Sequence, residues 1–157
     1  MDIQYEQLSK LSFWRRMRAA RAISKVVCAE AANDKMKRVS ARGLLAREFS
    51  LVALDGHHIA GHVSVEGPIV GALYVDPDYR GQHIATKLVS AATKFVIDHE
   101  LEPVAYCNEN SIKTFRNCDY AEVSSDKPNR TKMHHQSLSV QAHQEIGKTP
   151  LAVMMAA

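Results

Sequence analysis

The stretch from Ile69 to Ile97, IVGALYVDPDYRGQHIATKLVSAATKFVI, constrains the fold more than any other part of the chain. Ile69 to Val75 is a run of apolar and aromatic residues, and Pro77 within Asp76-Pro77-Asp78 ends it because proline cannot donate to a sheet ladder. From His83 onward, Ile84, Leu88, Ala92, Phe95 and Val96 recur at helical spacing, with Lys87, Ser90, Thr93 and Lys94 on the other side. The stretch therefore predicts a buried strand, a tight loop and an amphipathic helix. The loop, Arg80-Gly81-Gln82-His83-Ile84-Ala85, falls where the first helical N–H groups lack intrahelical acceptors and the dipole is positive. A phosphate or pyrophosphate suits that place. Gly81 lets the backbone approach an anion, and Arg80 adds a guanidinium.

The order of these features resembles the acetyl-CoA-binding motif of the GCN5-related N-acetyltransferase family, Arg/Gln-x-x-Gly-x-Gly/Ala. Arg80 and Ala85 match its two ends, and Gly81 matches a glycine often found second. His83 stands where the family usually has glycine, and a negative φ there, with the side chain turned away, keeps the backbone accessible. A second, partial match runs through Asn108, Ser111, Phe115, Asp119 and Tyr120.

The resemblance implies an α/β (α+β) fold, a mixed, mostly antiparallel sheet flanked by helices and splayed between the fourth and fifth strands. It implies acetyl-CoA as co-substrate, with no metal. Arg80, Gly81, Gln82, His83, Ile84 and Ala85 would hold the pyrophosphate, Leu73 and Val75 would offer backbone groups to the pantetheine arm, and Asn108 would bond that arm or cap a helix. Phe115 occupies the position where the family often has a tyrosine acid. It has no proton to give, so it is expected near the coenzyme sulfur as packing, and Tyr74, Tyr106 and Tyr120 remain as substitutes. Glu66 and His62, on the strand entering the cleft, are the candidate bases.

At 157 residues the chain has the length of one domain, 1–157. Its apolar share of 46% and charged share of 24% are those of a soluble globular protein, and no segment approaches the ~20 apolar residues of a membrane helix. The start, MDIQYEQLSK, lacks a signal pattern, and three cysteines without framework spacing read as reduced thiols, so a cytoplasmic setting is expected. The histidine groups His57-His58-x-x-x-His62 and His134-His135 have no recognised metal-site spacing.

Along the chain, Asp2 to Leu8 reads as a strand, and Ser9 or Ser12 caps a helix to about Ala32 with Phe13, Met17, Ala20, Ile23 and Val27 as its buried stripe. Asn33-Asp34-Lys35 breaks it, and Val39 to Ala46 forms a short second helix. Asp55-Gly56 turns a hairpin of Phe49–Leu54 and His58–Val65, and Gly67-Pro68 turns into the Ile69 strand. Val104 to Cys107 reads as a parallel strand, Ile112 to Asn117 as a helix, Tyr120 to Ser124 as a strand, Ser125 to Arg130 as a loop and Lys132 to Val140 as a last strand. Pro150 to Ala157 is apolar but too short to cross a bilayer, and is either disordered or packed on this or a neighbouring subunit, leaving room for a homodimer.

The resemblance implies transfer of acetyl from acetyl-CoA to a primary amine of a small molecule, or to a protein lysine or N-terminus. A catalytically silent acyl-CoA-binding or partner-binding module is the alternative that Phe115 and His83 support. A third reading uses charge: residues 1–48 hold eleven Lys/Arg against five Asp/Glu, a balance of +6, while the rest carries −3. Arg15, Arg16, Arg18 and Arg21 would then face an RNA-linked or acidic protein acceptor. No aromatic stacking platform is read beside them, so a solvated basic face is favoured over nucleic acid.

Overall fold

The computed structural model describes residues 2–34, 40–123 and 130–136. Seven strands form one sheet in the order β1-β2-β3-β4-β5-β7-β6. β1 (Ile3–Gln7), β2 (Phe49–Asp55), β3 (His58–Glu66) and β4 (Ile69–Val75) make an antiparallel meander, and β5 (Val104–Cys107) lies parallel to β4. Among the described residues β6 (Tyr120–Val123) pairs only with β7 (Thr131–His135), which returns between it and β5. Asp55 pairs with His58 as the last rung of the hairpin, so the two-residue turn is Gly56-His57, one position beyond the expected Asp55-Gly56. The reason is that Gly56 itself takes the positive φ, 59°, that such a turn requires.

Helices cover both faces. α3 (Ile84–Asp98) and α4 (Glu109–Arg116) pack on one, over Leu51, Ala53, Val63, Val65, Val70 and Met133. α1 (Phe13–Asp34) and α2 (Ala41–Leu45) pack on the other, over Val52 and Leu54. α3 turns Ile84, Leu88, Val89, Ala92 and Val96 into the core. It also buries Thr93, expected on the polar side, because the Thr93 hydroxyl finds the Tyr120 hydroxyl at 2.8 Å. Gly61 of β3 seats this helix. A Cβ there would stand 3.0 Å from both Leu88 Cδ1 and the Tyr74 carbonyl, and 3.1 Å from Ile84 Cγ2.

α1 begins at Phe13 and runs through the expected break at Asn33-Asp34, while α2 is capped by Ser40, whose hydroxyl accepts from Gly43 N–H at 3.0 Å. Ala20, Ile23 and Val27 are buried as the periodicity predicts. Phe13 is not, at 66% exposed, because Leu8 and Leu11 in the preceding turn already fill that end of the core. The expectations for Lys35, Val39, 124–129, 137–140 and 150–157 lie outside the described residues.

Candidate active site

The cleft originates in a defect of β4. Between the pairs His62↔Tyr74 and Ser64↔Gly71, the single residue Val63 faces both Ala72 and Leu73, and Ala72 sits at a φ of 48°. This is a β-bulge, which bends its strand. On the other edge, β4 shares one rung with β5, Ile69↔Val104, secured by Val104 N–H donating to the Pro68 carbonyl at 2.9 Å. Beyond it the strands part. Asp76 N–H bonds the Ala60 carbonyl on the β3 side at 3.0 Å, so the Val75 carbonyl of the same peptide faces the open edge, where Arg80 Nε bonds it at 3.2 Å.

A cavity of about 580 Å³ occupies the opening. Leu73 and Val75 form one wall, Arg80, Gly81, His83, Ile84 and Ala85 the end, and Asn108 the far side. No side chain caps the amides at the start of α3, which leaves them available to an anion. Gly81 has a φ of 80°, and a Cβ built on it meets no atom within 4 Å, so the loop leaves open space where a pyrophosphate fits. His83 corrects the sequence expectation of negative φ, since its backbone is left-handed at 58°. The histidine keeps the conformation that glycine favours, at a cost of about 1 kcal/mol. Asn108 Oδ1 accepts from Ser111 N–H at 3.0 Å, and the Ser111 hydroxyl accepts from Asn108 N–H at 3.1 Å, so the residue caps α4 while it lines the cavity.

Four expected site residues lie elsewhere. Gln82 is exposed and outside the lining. Phe115 points into the core at 3% exposure, edge-on to Tyr120 with centroids 5.1 Å apart. The helix phase decides this, since Asn110, Ser111, Lys113 and Thr114 face the cavity and Phe115 follows Ile112 inward. Glu66 is the last residue of β3, paired with Ile69 at the closed end, about 17 Å along the strand from Val75. Its exposed carboxylate pairs with Arg47.

His62 is the fourth. It is fully buried, its Nδ1–H donates to the Ala72 carbonyl at 3.1 Å, and its Nε2 has no hydrogen-bond partner among the described residues. Burial above all, with Arg47 adding repulsion, lowers its pKa to about 4 despite the favourable bond to Ala72. His62 pins the bulge rather than lining either cavity.

A second cavity, of about 400 Å³, lies on the α1 side against the β2–β3 turn, and Tyr74 lines both cavities. At its wall His58 Nε2 stands 3.0 Å from Asp76 Oδ2, and its ring stacks on Tyr79 at 5.2 Å. Tyr79 is held in turn, donating its hydroxyl to Asp55 Oδ2 at 3.0 Å. Sequence reading missed this pair because its members are 18 residues apart, joined only by the register of β3 and β4. Of the other tyrosines, Tyr120 is engaged with Thr93 and burial drives its pKa far up, and Tyr106 lies outside both linings.

Among the described residues no group of His, Cys, Asp or Glu could hold a metal ion, and no helix is long and apolar enough to cross a membrane. Cys107 and Cys118 are buried thiols, and burial raises the pKa of both. The basic helix does carry aromatic rings in the open, correcting the sequence reading. Phe13 and Trp14, 66% and 80% exposed, meet edge-on with centroids 5.3 Å apart.

The fold has counterparts among solved structures. Escherichia coli ElaA superposes with a TM-score of 0.67 at 11% identity, covering 85% of this chain and 99% of its own. Tetrahymena GCN5 gives 0.63 at 14%, covering 83% and 95%. The PaiA N-acetyltransferase of Thermoplasma acidophilum, in complex with coenzyme A, gives 0.61 at 17%, covering 86% and 99%. No curated protein sequence matches. The sequence pattern of the Acetyltransferase (GNAT) family matches residues 13–120, which take in α1, both helices of the other face and the splayed strands, and the chain belongs to that family.

Proposed function

We propose that the protein transfers an acetyl group from acetyl-CoA to a primary amine, with the coenzyme in the larger cavity and the amine entering from the smaller one. The observation that carries this reading is the meeting of the splayed β4–β5 edge with the uncapped start of α3 in one cavity of about 580 Å³. Arg80 and Lys113 add cations to that lining, and the α3 amides and Gly81 accommodate phosphate. When bound, the coenzyme supplies a thioester carbonyl and a thiol leaving group. Tyr74, the lining residue common to both cavities, gives its proton to the departing thiolate in place of the absent tyrosine at Phe115. With Nε2–H donating to Asp76, His58 presents Nδ1 as the proton acceptor for the amine.

The test is mass spectrometry of small amines incubated with protein and acetyl-CoA, beside calorimetry of acetyl-CoA. Tyr74→Phe and His58→Gln are expected to lower kcat by about 10²-fold or more while acetyl-CoA affinity holds. Tight acetyl-CoA binding with no acetylated amine in a broad panel would instead establish the silent module. The exposed Phe13–Trp14 pair beside Arg15, Arg18 and Arg21 favours a second reading, in which an RNA-linked acceptor stacks on the rings. Salt-sensitive binding of single-stranded RNA, lost in Trp14→Ala, distinguishes it.

A further inference from the structure

The smaller cavity is asymmetric in its chemistry. Its walls are apolar, with Ala19, Ala22, Ile23 and Val26 of α1 facing Leu54 and Ile59 of the hairpin. The small Ala19 and Ala22 leave the room between helix and sheet. Its charged lining residues are Arg15 and Arg18 on α1 and, on the sheet side two residues from Tyr74, Asp76 paired with His58. The Asp76 carboxylate is engaged, Oδ2 with His58 and Oδ1 with Asp78 N–H at 3.0 Å. Arg15 lies 3.9 Å from Glu6. Arg18 makes no hydrogen bond or ion pair among the described residues, so a cation faces this cavity without an anion to answer it.

The two ends are also separated. Tyr74 lines both cavities, and on α1 Val26 lines the smaller one while its neighbour Val27 lines the larger, so the reacting amine belongs at that end. Arg18 lies eight residues earlier on the helix, about 12 Å along its axis.

We infer that the cavity takes an elongated acceptor, an amine joined through an apolar body to an anionic group about 10 Å away, with the anion at Arg18 and Arg15 and the amine at Tyr74. This assignment rests on the transferase reading for the direction of the amine, and it makes a polyamine the wrong acceptor. A second cation would be carried toward two arginines. The volume, about 400 Å³, suits a small molecule rather than a folded partner.

Three probes of one length isolate the far group: 8-aminooctanoate, octylamine and 1,8-diaminooctane end in a negative, an apolar and a positive group. Calorimetry is run with coenzyme A present, so that no turnover occurs, at low and at high salt. The expected order of affinity is 8-aminooctanoate, then octylamine, then 1,8-diaminooctane, with at least a tenfold span at low salt that narrows as salt rises. Arg18→Glu reverses the order, and Arg15→Glu/Arg18→Glu reverses it further, while octylamine changes little in either and serves as the internal control. A flat or inverted order in the native protein, an order indifferent to Arg18→Glu, or no binding of any probe overturns the inference. Acetylation of octylamine with a flat order sinks the acceptor class and keeps the transferase. The expected order with no acetylation by acetyl-CoA keeps the acceptor class and sinks the transferase.

Discussion

The two cavities that share Tyr74 are built in different ways. The larger owes its shape to main chain, a bulged strand edge, a glycine loop and the open amides of a helix start, with polar residues of α4 along its far wall. The smaller is made of side chains from α1 and a hairpin that meet only through the fold. Backbone-built sites tolerate substitution along their walls and fail at the few positions where conformation matters. Side-chain-built sites change specificity with each residue. On the proposed reading, one chain thus pairs a generic coenzyme site with an individual acceptor site.

Gly81→Glu is the sharpest way to break the coenzyme half. It puts bulk and a like charge at the anion site, and acetyl-CoA affinity measured by calorimetry is expected to fall on the order of 1,000-fold, about 4 kcal/mol, while thermal stability changes by about 1 kcal/mol. Unchanged affinity would remove the loop from the site.

Phe115 tests whether the core and the larger cavity are separate. Phe115→Ala is expected to cost about 3 to 4 kcal/mol in denaturant unfolding, yet to leave acetyl-CoA affinity intact at a temperature where the variant is folded. A selective loss of coenzyme affinity with little loss of stability would place the ring at the coenzyme after all.

His62 ties stability to the bulge between the cavities. Its folded pKa of about 4 lies below the unfolded value of 6.5, so between these the unfolded chain binds a proton that the folded chain refuses. Stability therefore falls as pH drops through that window, by up to about 3 kcal/mol below pH 4 from this residue. In His62→Gln that part of the pH dependence should vanish from unfolding curves. An identical pH profile in the variant refutes the neutral buried histidine.

The smallest effect is expected where the comparison is strictest. In Arg15→Glu/Arg18→Glu/Arg21→Glu, acetyl-CoA affinity should stay within about twofold, because exposed charges are screened beyond roughly 10 Å at 0.1 M salt, while preference among charged amines shifts. A coenzyme affinity that moves as much as the amine preference would show that the cavities are not independent.

The same contrast explains what the sequence disclosed. The Arg80–Ala85 loop is contiguous and punctuated by Pro77 and Gly81, so its place at the start of α3 could be read directly. The meander followed from Gly56 and from Gly67-Pro68. Glu66 was misplaced because strand membership does not fix height along a strand, although the Gly67-Pro68 turn beside it marks the closed end. Phe115 was misplaced because a motif position does not fix helix phase, whereas Asn110, Lys113 and Thr114 at helical spacing do. The bulge left only Gly71 as a faint signal, and the His58–Asp76 pair left none, because long-range register created both.

The solitary rung Ile69↔Val104 joins a four-stranded plate, β1 to β4, to a three-stranded one, β5 to β7. With so few bonds crossing the seam, α3 on the four-stranded plate and α4 on the other hold the sheet together where they meet, with the Thr93–Tyr120 hydroxyl pair reaching from α3 to β6. The plates are then expected to be separate cooperative units in native-state hydrogen exchange, the four-stranded one opening only with global unfolding and the other at lower free energy. A ligand strand laid into the seam would lend the weaker plate the protection of the stronger, so coenzyme binding should slow exchange most at Tyr106, whose N–H lies on the same side of β5 as the Val104 N–H that bonds Pro68.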